Sequence, residues 1–250
     1  MTPLWAALRF LTRLPVPAHT ASAAQWGQSM LFYPLVGLVL GILLALAAAL
    51  LSPVAGILTA ALLLTTWVWL TGLLHLDGLA DSADALVGGL GDRERTLAIM
   101  KDPTCGPAGV ITLVLALLIK FAALVQILEQ GYWIALLLAP FLARVALLLI
   151  FVITPYVRPK GIASEMLQHL NKRQAGMISL TLVAAMLLLC LILGYWSAAL
   201  WGLAVASLSF WLARAWMMQR LGGTTGDTAG ALVELIEIAV LIAVLLSLVV

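Results

Sequence analysis

WIALLLAPFLARVALLLIFVI, residues 133–153, runs for 21 residues with one charge, Arg144. A helix rises about 1.5 Å per residue, so this run reaches roughly 30 Å, the hydrocarbon thickness of a bilayer. Comparable runs cover 30–51, 55–74, 107–128, 177–194, 198–213 and 231–250. Of the 250 residues, 64% are hydrophobic and 10% charged, whereas a soluble domain carries about a quarter charged residues. The pattern predicts an all-α polytopic membrane bundle of about seven transmembrane helices. It forms one domain over 1–250 and shows no internal repeat. A soluble globular enzyme is excluded.

Charge placement orients the bundle. Pro53, Gly131 and Ser197 mark tight turns at one face, and 1–29, 75–106, 154–176 and 214–230 are long segments at the other. Eleven of the 13 Lys and Arg residues fall in the long segments and none in a tight turn; Lys120 and Arg144 lie inside spans. The positive-inside rule places the long segments and the N-terminus in the cytoplasm, and an odd number of spans leaves the C-terminus outside. Residues 1–12, with Trp5, Leu8, Phe10 and Leu11 beside Arg9, predict a short interfacial helix in a cytoplasmic N-terminal segment, 1–29. The apolar run 4–11 is too short for a cleavable signal. Cys105 and Cys190 share no metal-like spacing and are expected to be unpaired. A net charge of +2 says little about partners. The bilayer is one, and no nucleic acid is expected.

The acidic residues carry the chemistry. In His75-Leu76-Asp77-Gly78-Leu79-Ala80-Asp81-Ser82-Ala83-Asp84, the carboxylates stand at i, i+4 and i+7, on one face of a helix. Like charges so close call for a cation, and an oxygen donor set without Cys favours Mg²⁺. His75 is a candidate general base or metal ligand. Gly78 weakens the helix by roughly 1 kcal/mol relative to alanine, which suits close approach of a phosphate or another helix. In Gly222-Gly223-Thr224-Thr225-Gly226-Asp227-Thr228-Ala229-Gly230 the backbone is exposed at a helix start, where N–H groups favour anions. Gly226 and Thr228 are therefore candidate substrate contacts, and Asp227 either caps the helix or joins the metal set. Asp102, in Met100-Lys101-Asp102-Pro103, is a further metal candidate with Lys101 as a phosphate contact, or the segment is a plain entry turn. Glu234 and Glu237 lie inside an apolar span, where ionisable groups usually line a cavity. Lys120 and Arg144 either pair with them or meet a substrate phosphate. Arg158, Lys160, His169, Lys172 and Arg173 form a basic loop that is a topology signal or meets an anionic substrate. Both acidic clusters fall on the cytoplasmic side, so Asp227 and Glu234 are expected to face one cavity with Asp77.

Together these motifs resemble a known family. His75-Leu76-Asp77-Gly78-Leu79-Ala80-Asp81, Met100-Lys101-Asp102-Pro103 with Gly106-Pro107, Pro155-Tyr156-Val157-Arg158-Pro159 and Gly226-Asp227-Thr228 are similar to the cobalamin synthase, or adenosylcobinamide-GDP ribazoletransferase, family. Phe10-Leu11-Thr12-Arg13-Leu14-Pro15-Val16-Pro17 and Tyr33-Pro34-Leu35-Val36-Gly37 extend the likeness over nearly the whole chain in order. Thr104-Cys105 departs from it where a basic residue is expected. The resemblance implies a late step of vitamin B12 assembly in the bacterial inner membrane. A hydroxyl of α-ribazole, or of its 5′-phosphate, attacks the cobinamide-linked phosphorus of adenosylcobinamide-GDP, and GMP leaves with Mg²⁺ assisting. Asp77, Asp81 and Asp84 are expected to hold the metal, and one of them or His75 to take the proton. Self-association and contact with other enzymes of that assembly are the further partners implied.

Three other classes compete. CDP-alcohol phosphotransferases also cluster aspartates on membrane helices, but pair Asp-Gly with a following Ala-Arg; here Ala80 precedes Asp81. Isoprenoid transferases use acidic pairs. An ion-coupled transporter would use Lys120, Arg144, Glu234 and Glu237 as a pathway, against which stand the missing repeats and the clustering of polar motifs at one face.

Overall fold

The computed structural model describes residues 2–17, 21–51, 56–159 and 161–248. The turn expected at Pro53 and the basic-loop residue Lys160 lie outside them. The chain orders as α1 (Pro3–Leu11), α2 (Ala23–Ser29), a 3₁₀ turn (Met30–Phe32), α3 (Tyr33–Leu51), α4 (Ile57–Thr71), α5 (Leu74–Gly88), α6 (Arg93–Ile99), α7 (Pro107–Glu129), α8 (Ile134–Ile153), α9 (Ile162–Gln168), α10 (Lys172–Ile192), α11 (Trp196–Leu221) and α12 (Gly226–Leu246). Among the described residues, six stretches are long and apolar enough to cross a bilayer: Ala23–Leu51, α7, α8, α10, α11 and α12. A seventh forms only if α4 and α5 count together.

That pair corrects the straight span expected over 55–74. α4 and α5 are 15 residues each, about 22 Å, and meet at 88°. Gly72 and Leu73 both take the left-handed conformation, each at φ 61°, which costs an L-residue such as Leu73 on the order of 1–2 kcal/mol. The break strips helical partners from nearby carbonyls, and the Arg13 N–H donates to the Leu70 carbonyl at 2.8 Å. The Arg13 side chain lies where a Cβ on Gly72 would sit. The N-terminal segment thus braces the break. α1 forms as expected, but Ala6, Ala7, Leu8 and Leu11 are buried against the bundle, so it is more than an interfacial helix.

Other boundaries shift with consequences. α12 begins at Gly226, not 231, which puts Asp227 in its first turn. α10 begins at Lys172, so Lys172 and Arg173 open a helix instead of lying in a loop. α11 reaches Leu221, 26 residues and about 39 Å, so it outruns the apolar core and carries Arg214 and Arg220 on the helix.

α8 is the centre of the bundle, packed against α3, α10, α11 and α12 and buried over most of its length. Apolar attraction between helices vanishes in lipid, so small residues decide which backbones approach. Gly37 and Gly41 of α3 do this: a Cβ on Gly41 would lie 2.7 Å from Leu137 Cα, and one on Gly37 2.9 Å from Phe141 Cα. No sheet forms among the described residues. A parallel bridge joins Tyr156 to Thr224, with Val157 N–H donating to the Thr224 carbonyl at 3.0 Å and Thr224 N–H to that of Pro155 at 2.8 Å. It ties the α8–α9 connection to the start of α12.

Candidate active site

α5 and α12 cross on glycine. A Cβ on Gly78 would lie 2.6 Å from the Asp227 carbonyl oxygen and 2.9 Å from its Cα, and one on Gly230 would lie 3.4 Å from His75 Cα. Of the two uses expected for Gly78, close approach of a helix is the one present. The crossing sets His75 and Asp77 beside Asp227 on the wall of a cavity of about 380 Å³. Arg158 completes that wall, held there by the Tyr156–Thr224 bridge. The rest of the lining is largely apolar and aromatic, with Phe10, Leu11, Met30, Tyr33 and Phe151. Grooves of about 330 and 310 Å³ elsewhere in the bundle carry no charged side chain.

Within the cavity, Arg158 Nη2 lies 2.6 Å from Asp227 Oδ2 and donates to the Met100 carbonyl at 3.2 Å. Asp81, one turn beyond Asp77, lies in the field of Asp77, Asp227, Arg158 and Asp84. The Thr225 and Thr228 hydroxyls cap α12 reciprocally: Thr228 N–H donates to Thr225 Oγ1 at 3.2 Å, and Thr225 N–H to Thr228 Oγ1 at 2.9 Å. Gly226 and Asp227, in the first turn of α12, bring its remaining N–H groups and positive helix end to the cavity, where they favour an anion. Burial pushes the Tyr156 phenol up, which keeps it a hydrogen-bond donor at neutral pH.

Several expected site residues are used otherwise. Asp84 accepts from the N–H groups of Gly106, at 2.7 Å, and Gly109, at 2.9 Å, so it caps α7. Asp102 is exposed and accepts from Thr104 N–H at 2.9 Å and the Thr104 hydroxyl at 2.5 Å; these bonds hold its carboxyl below the usual range. Thr228 is buried and spent on the cap. Lys101 is exposed and outside the cavity lining. Glu234 does not face the cavity: it pairs with Lys120 at 2.9 Å. Glu237 pairs with both Lys120 and Arg144, and Lys120 Nζ stands 4.4 Å from the centroid of the Trp67 ring. All four charged residues are at most 3% exposed and balance one another inside the bundle, which is the pairing alternative for Lys120 and Arg144. His75 lines the cavity on one side and lies in the field of Arg144, Glu237 and Lys120 on the other, and its Nε2 has no hydrogen-bond partner.

Among the described residues, no three or more His, Cys, Asp and Glu side chains converge as a ready-made metal cage, and Asp84 is turned to the start of α7. The donor set still suits Mg²⁺, which keeps several waters and is usually held by one or two carboxylates together with substrate phosphates. Asp77 lines the cavity, and Asp81 follows it one helical turn on, in the field of the same charges. Tyr156 and Tyr33 were not singled out as site residues from sequence. The one signal was the rigid setting of Tyr156 in Pro155-Tyr156-Val157-Arg158-Pro159.

A helical membrane bundle with an acid- and arginine-lined cavity at a broken helix suits a phosphate-bearing molecule. The chain belongs to the family described as cobalamin-5-phosphate synthase, whose model matches residues 3–245. Among similar proteins, the adenosylcobinamide-GDP ribazoletransferase of Pseudomonas putida (strain W619) is 53% identical over 99% of this chain and 100% of its own length. That of Pseudomonas putida KT2440 is 55% identical over the same shares, and that of Stutzerimonas stutzeri (strain A1501) is 53% identical over 99% of each chain. No solved structure matches.

Proposed function

We propose that this protein joins adenosylcobinamide-GDP to α-ribazole 5′-phosphate, or to α-ribazole, releasing GMP. The observation that carries the reading is one cavity at the N-terminus of α12 lined by Asp77, Asp227 and Arg158 together with aromatic side chains. A pyrophosphate is cleaved by charge neutralisation and positioning more than by covalent catalysis. Arg158 and the first N–H groups of α12 bind phosphoryl oxygens. Asp77 and Asp81 would hold Mg²⁺, which when bound supplies charge neutralisation at the phosphorus. The hydroxyl oxygen of the ribazole forms a bond to the cobinamide-side phosphorus. The bond from that phosphorus to the bridging oxygen breaks, GMP leaves with the bridging oxygen, and the hydroxyl proton passes to Asp77 or His75. A cavity of 380 Å³ takes the pyrophosphate and its immediate neighbours, while the corrin ring stays outside.

The basic segments favour a cytoplasmic N-terminus and a cytoplasmic cavity in the inner membrane. Purified protein given adenosylcobinamide-GDP and α-ribazole 5′-phosphate is expected to release GMP only with Mg²⁺. Vesicle flux of an ion without GMP release would instead support a transporter.

A further inference from the structure

The Tyr156–Thr224 bridge presents two side chains to the cavity, not one. Successive side chains of a bridged segment point to opposite sides. Tyr156 and Arg158 accordingly line the cavity, while Val157 between them packs beside Met100 and Leu221. Arg158 is already spent in part: Asp227 meets its charge at 2.6 Å, and Nη2 also donates to the Met100 carbonyl at 3.2 Å. With Asp77 and Asp227 against that one arginine, the lining carries more negative than positive charge. A pyrophosphate entering it needs donors that nothing has yet neutralised. Tyr156 is one. The Gly226 N–H, at the start of α12, donates toward its phenol oxygen, and among the described residues no acceptor takes the phenol proton. An N–H at the positive end of a helix polarises the O–H that it meets. The oxygen is also fixed in place. A Cβ on Gly161 would lie 2.2 Å from it, and the ring packs 6.2 Å from that of Phe151.

We infer that the Tyr156 hydroxyl is a catalytic residue that donates to a non-bridging oxygen of the phosphoryl group being transferred, beside Arg158; this rests on the functional reading above. Negative charge gathers on those oxygens as the ribazole hydroxyl approaches and GMP leaves. A donor already aimed and held there needs no reorganisation at that moment. The phenol keeps its proton throughout, because burial holds its ionisation above the ordinary tyrosine value. The proton of the attacking hydroxyl still goes to Asp77 or His75. One N–H of the α12 start thus acts on the substrate through the phenol, and the two-residue bridge sets the register that puts Tyr156 and Arg158 on the same phosphoryl group.

The test is GMP release by the full chain in non-ionic detergent with Mg²⁺. Tyr156→Phe removes the oxygen and keeps the ring. Its kcat is expected to fall by about 10²-fold, with KM for adenosylcobinamide-GDP within about threefold of wild type and the melting temperature within about 2 °C. An unchanged kcat, or a loss carried by KM alone, overturns the assignment. Gly161→Ala reaches the same oxygen from its other side. It should lower kcat by about tenfold in the wild type and by less than about threefold in Tyr156→Phe, where the hydroxyl it displaces is gone; equal losses in both backgrounds overturn the assignment. Should Tyr156→Phe melt far below the wild type, Gly161→Ala alone decides: a lower kcat at unchanged KM supports the donor, and a wild-type kcat rejects it. If the wild type releases no GMP, the functional reading fails by itself. Calorimetric binding of orthovanadate, a five-coordinate mimic of a phosphoryl group in transfer, then decides the hydroxyl. Affinity about tenfold weaker in Tyr156→Phe supports the donor, and equal affinity, or binding to neither protein, rejects it.

Discussion

Glu237 pairs with two buried cations, and replacing it with glutamine tests whether the buried charges form one unit. It pairs with Lys120 and with Arg144, and it is 0% exposed. Glu237→Gln keeps the volume and removes one negative charge from a balanced set of two cations and two anions. Lys120 keeps Glu234 at 2.9 Å. Arg144 keeps nothing of opposite charge: Glu237 is its ion-pair partner among the described residues, and its Nε and Nη2 already lack hydrogen-bond partners. Stranding a buried cation costs about 3–5 kcal/mol. At roughly 2–4 °C per kcal/mol for a chain of this size, the melting temperature should fall by about 6–20 °C. Glu234→Gln should cost less, because Lys120 still has Glu237. Replacing both partners, Arg144→Met with Glu237→Leu, removes the stranded charge and should recover much of the loss. Thermal unfolding followed by fluorescence in one detergent measures all four proteins. A Glu237→Gln melting temperature within about 1 °C of wild type, or a double variant no more stable than the single one, would refute the idea that these residues balance one another.

Asp77→Ala and Asp81→Ala should each reduce GMP release by on the order of 10³-fold or more while melting near the wild type; near-normal turnover in folded Asp77→Ala would remove the carboxylates from the metal proposal. Asp84→Asn should behave differently, losing roughly 0.5–2 kcal/mol of stability as its contact with the start of α7 weakens, with turnover largely kept; a collapse of turnover at normal stability would return Asp84 to the catalytic set. Reporter fusions at Gly131 and Val250 should both read periplasmic, and a cytoplasmic signal at Val250 would mean that α4 and α5 do not together cross.

The bundle was legible because bilayer thickness imposes a length that apolar runs either meet or miss. The broken helix was not. Residues 55–74 satisfy the hydropathy of a straight span, and what bends the chain is Gly72 and Leu73 in left-handed backbone, braced by Arg13 from some sixty residues away. For the site, helical periodicity placed Asp77, Asp81 and Asp84 on one face, and they do sit on one helix. Periodicity cannot say which neighbour each carboxylate meets. Asp84 meets the start of α7, Asp81 the other charges of the site, and Asp77 the cavity. The depth of Glu234 correctly signalled a polar partner, and pairing with Lys120 was one of the alternatives that depth left open. Arg158 was visible as one member of a basic run and within the Pro155-Tyr156-Val157-Arg158-Pro159 motif. Its role depends on a two-residue backbone bridge that no local pattern encodes.

The placement of the cavity follows from the same break. A straight helix through apolar surroundings must keep its polar face small, since each charge at depth needs a partner. Bending α4 from α5 by 88° ends the apolar half at Thr71 and starts a new helix at Leu74, whose first turns bear His75, Asp77 and Gly78. Gly78 then lets α12 approach closely enough to bring its N-terminal turn, with Asp227, against those residues. A methyl group at Gly78 would meet the Asp227 backbone, which belongs to a capped helix start and cannot rotate aside as a side chain would. The glycine therefore couples the bend to the anion-facing end of α12. Behind the crossing, the paired Lys120, Glu234, Glu237 and Arg144 hold α7, α8 and α12 together without exposing charge to lipid. The acidic cavity and the buried ion pairs are thus two consequences of one helix crossing: one side lines the cavity, and the other gives the polar residues behind it a place to be neutral as a set.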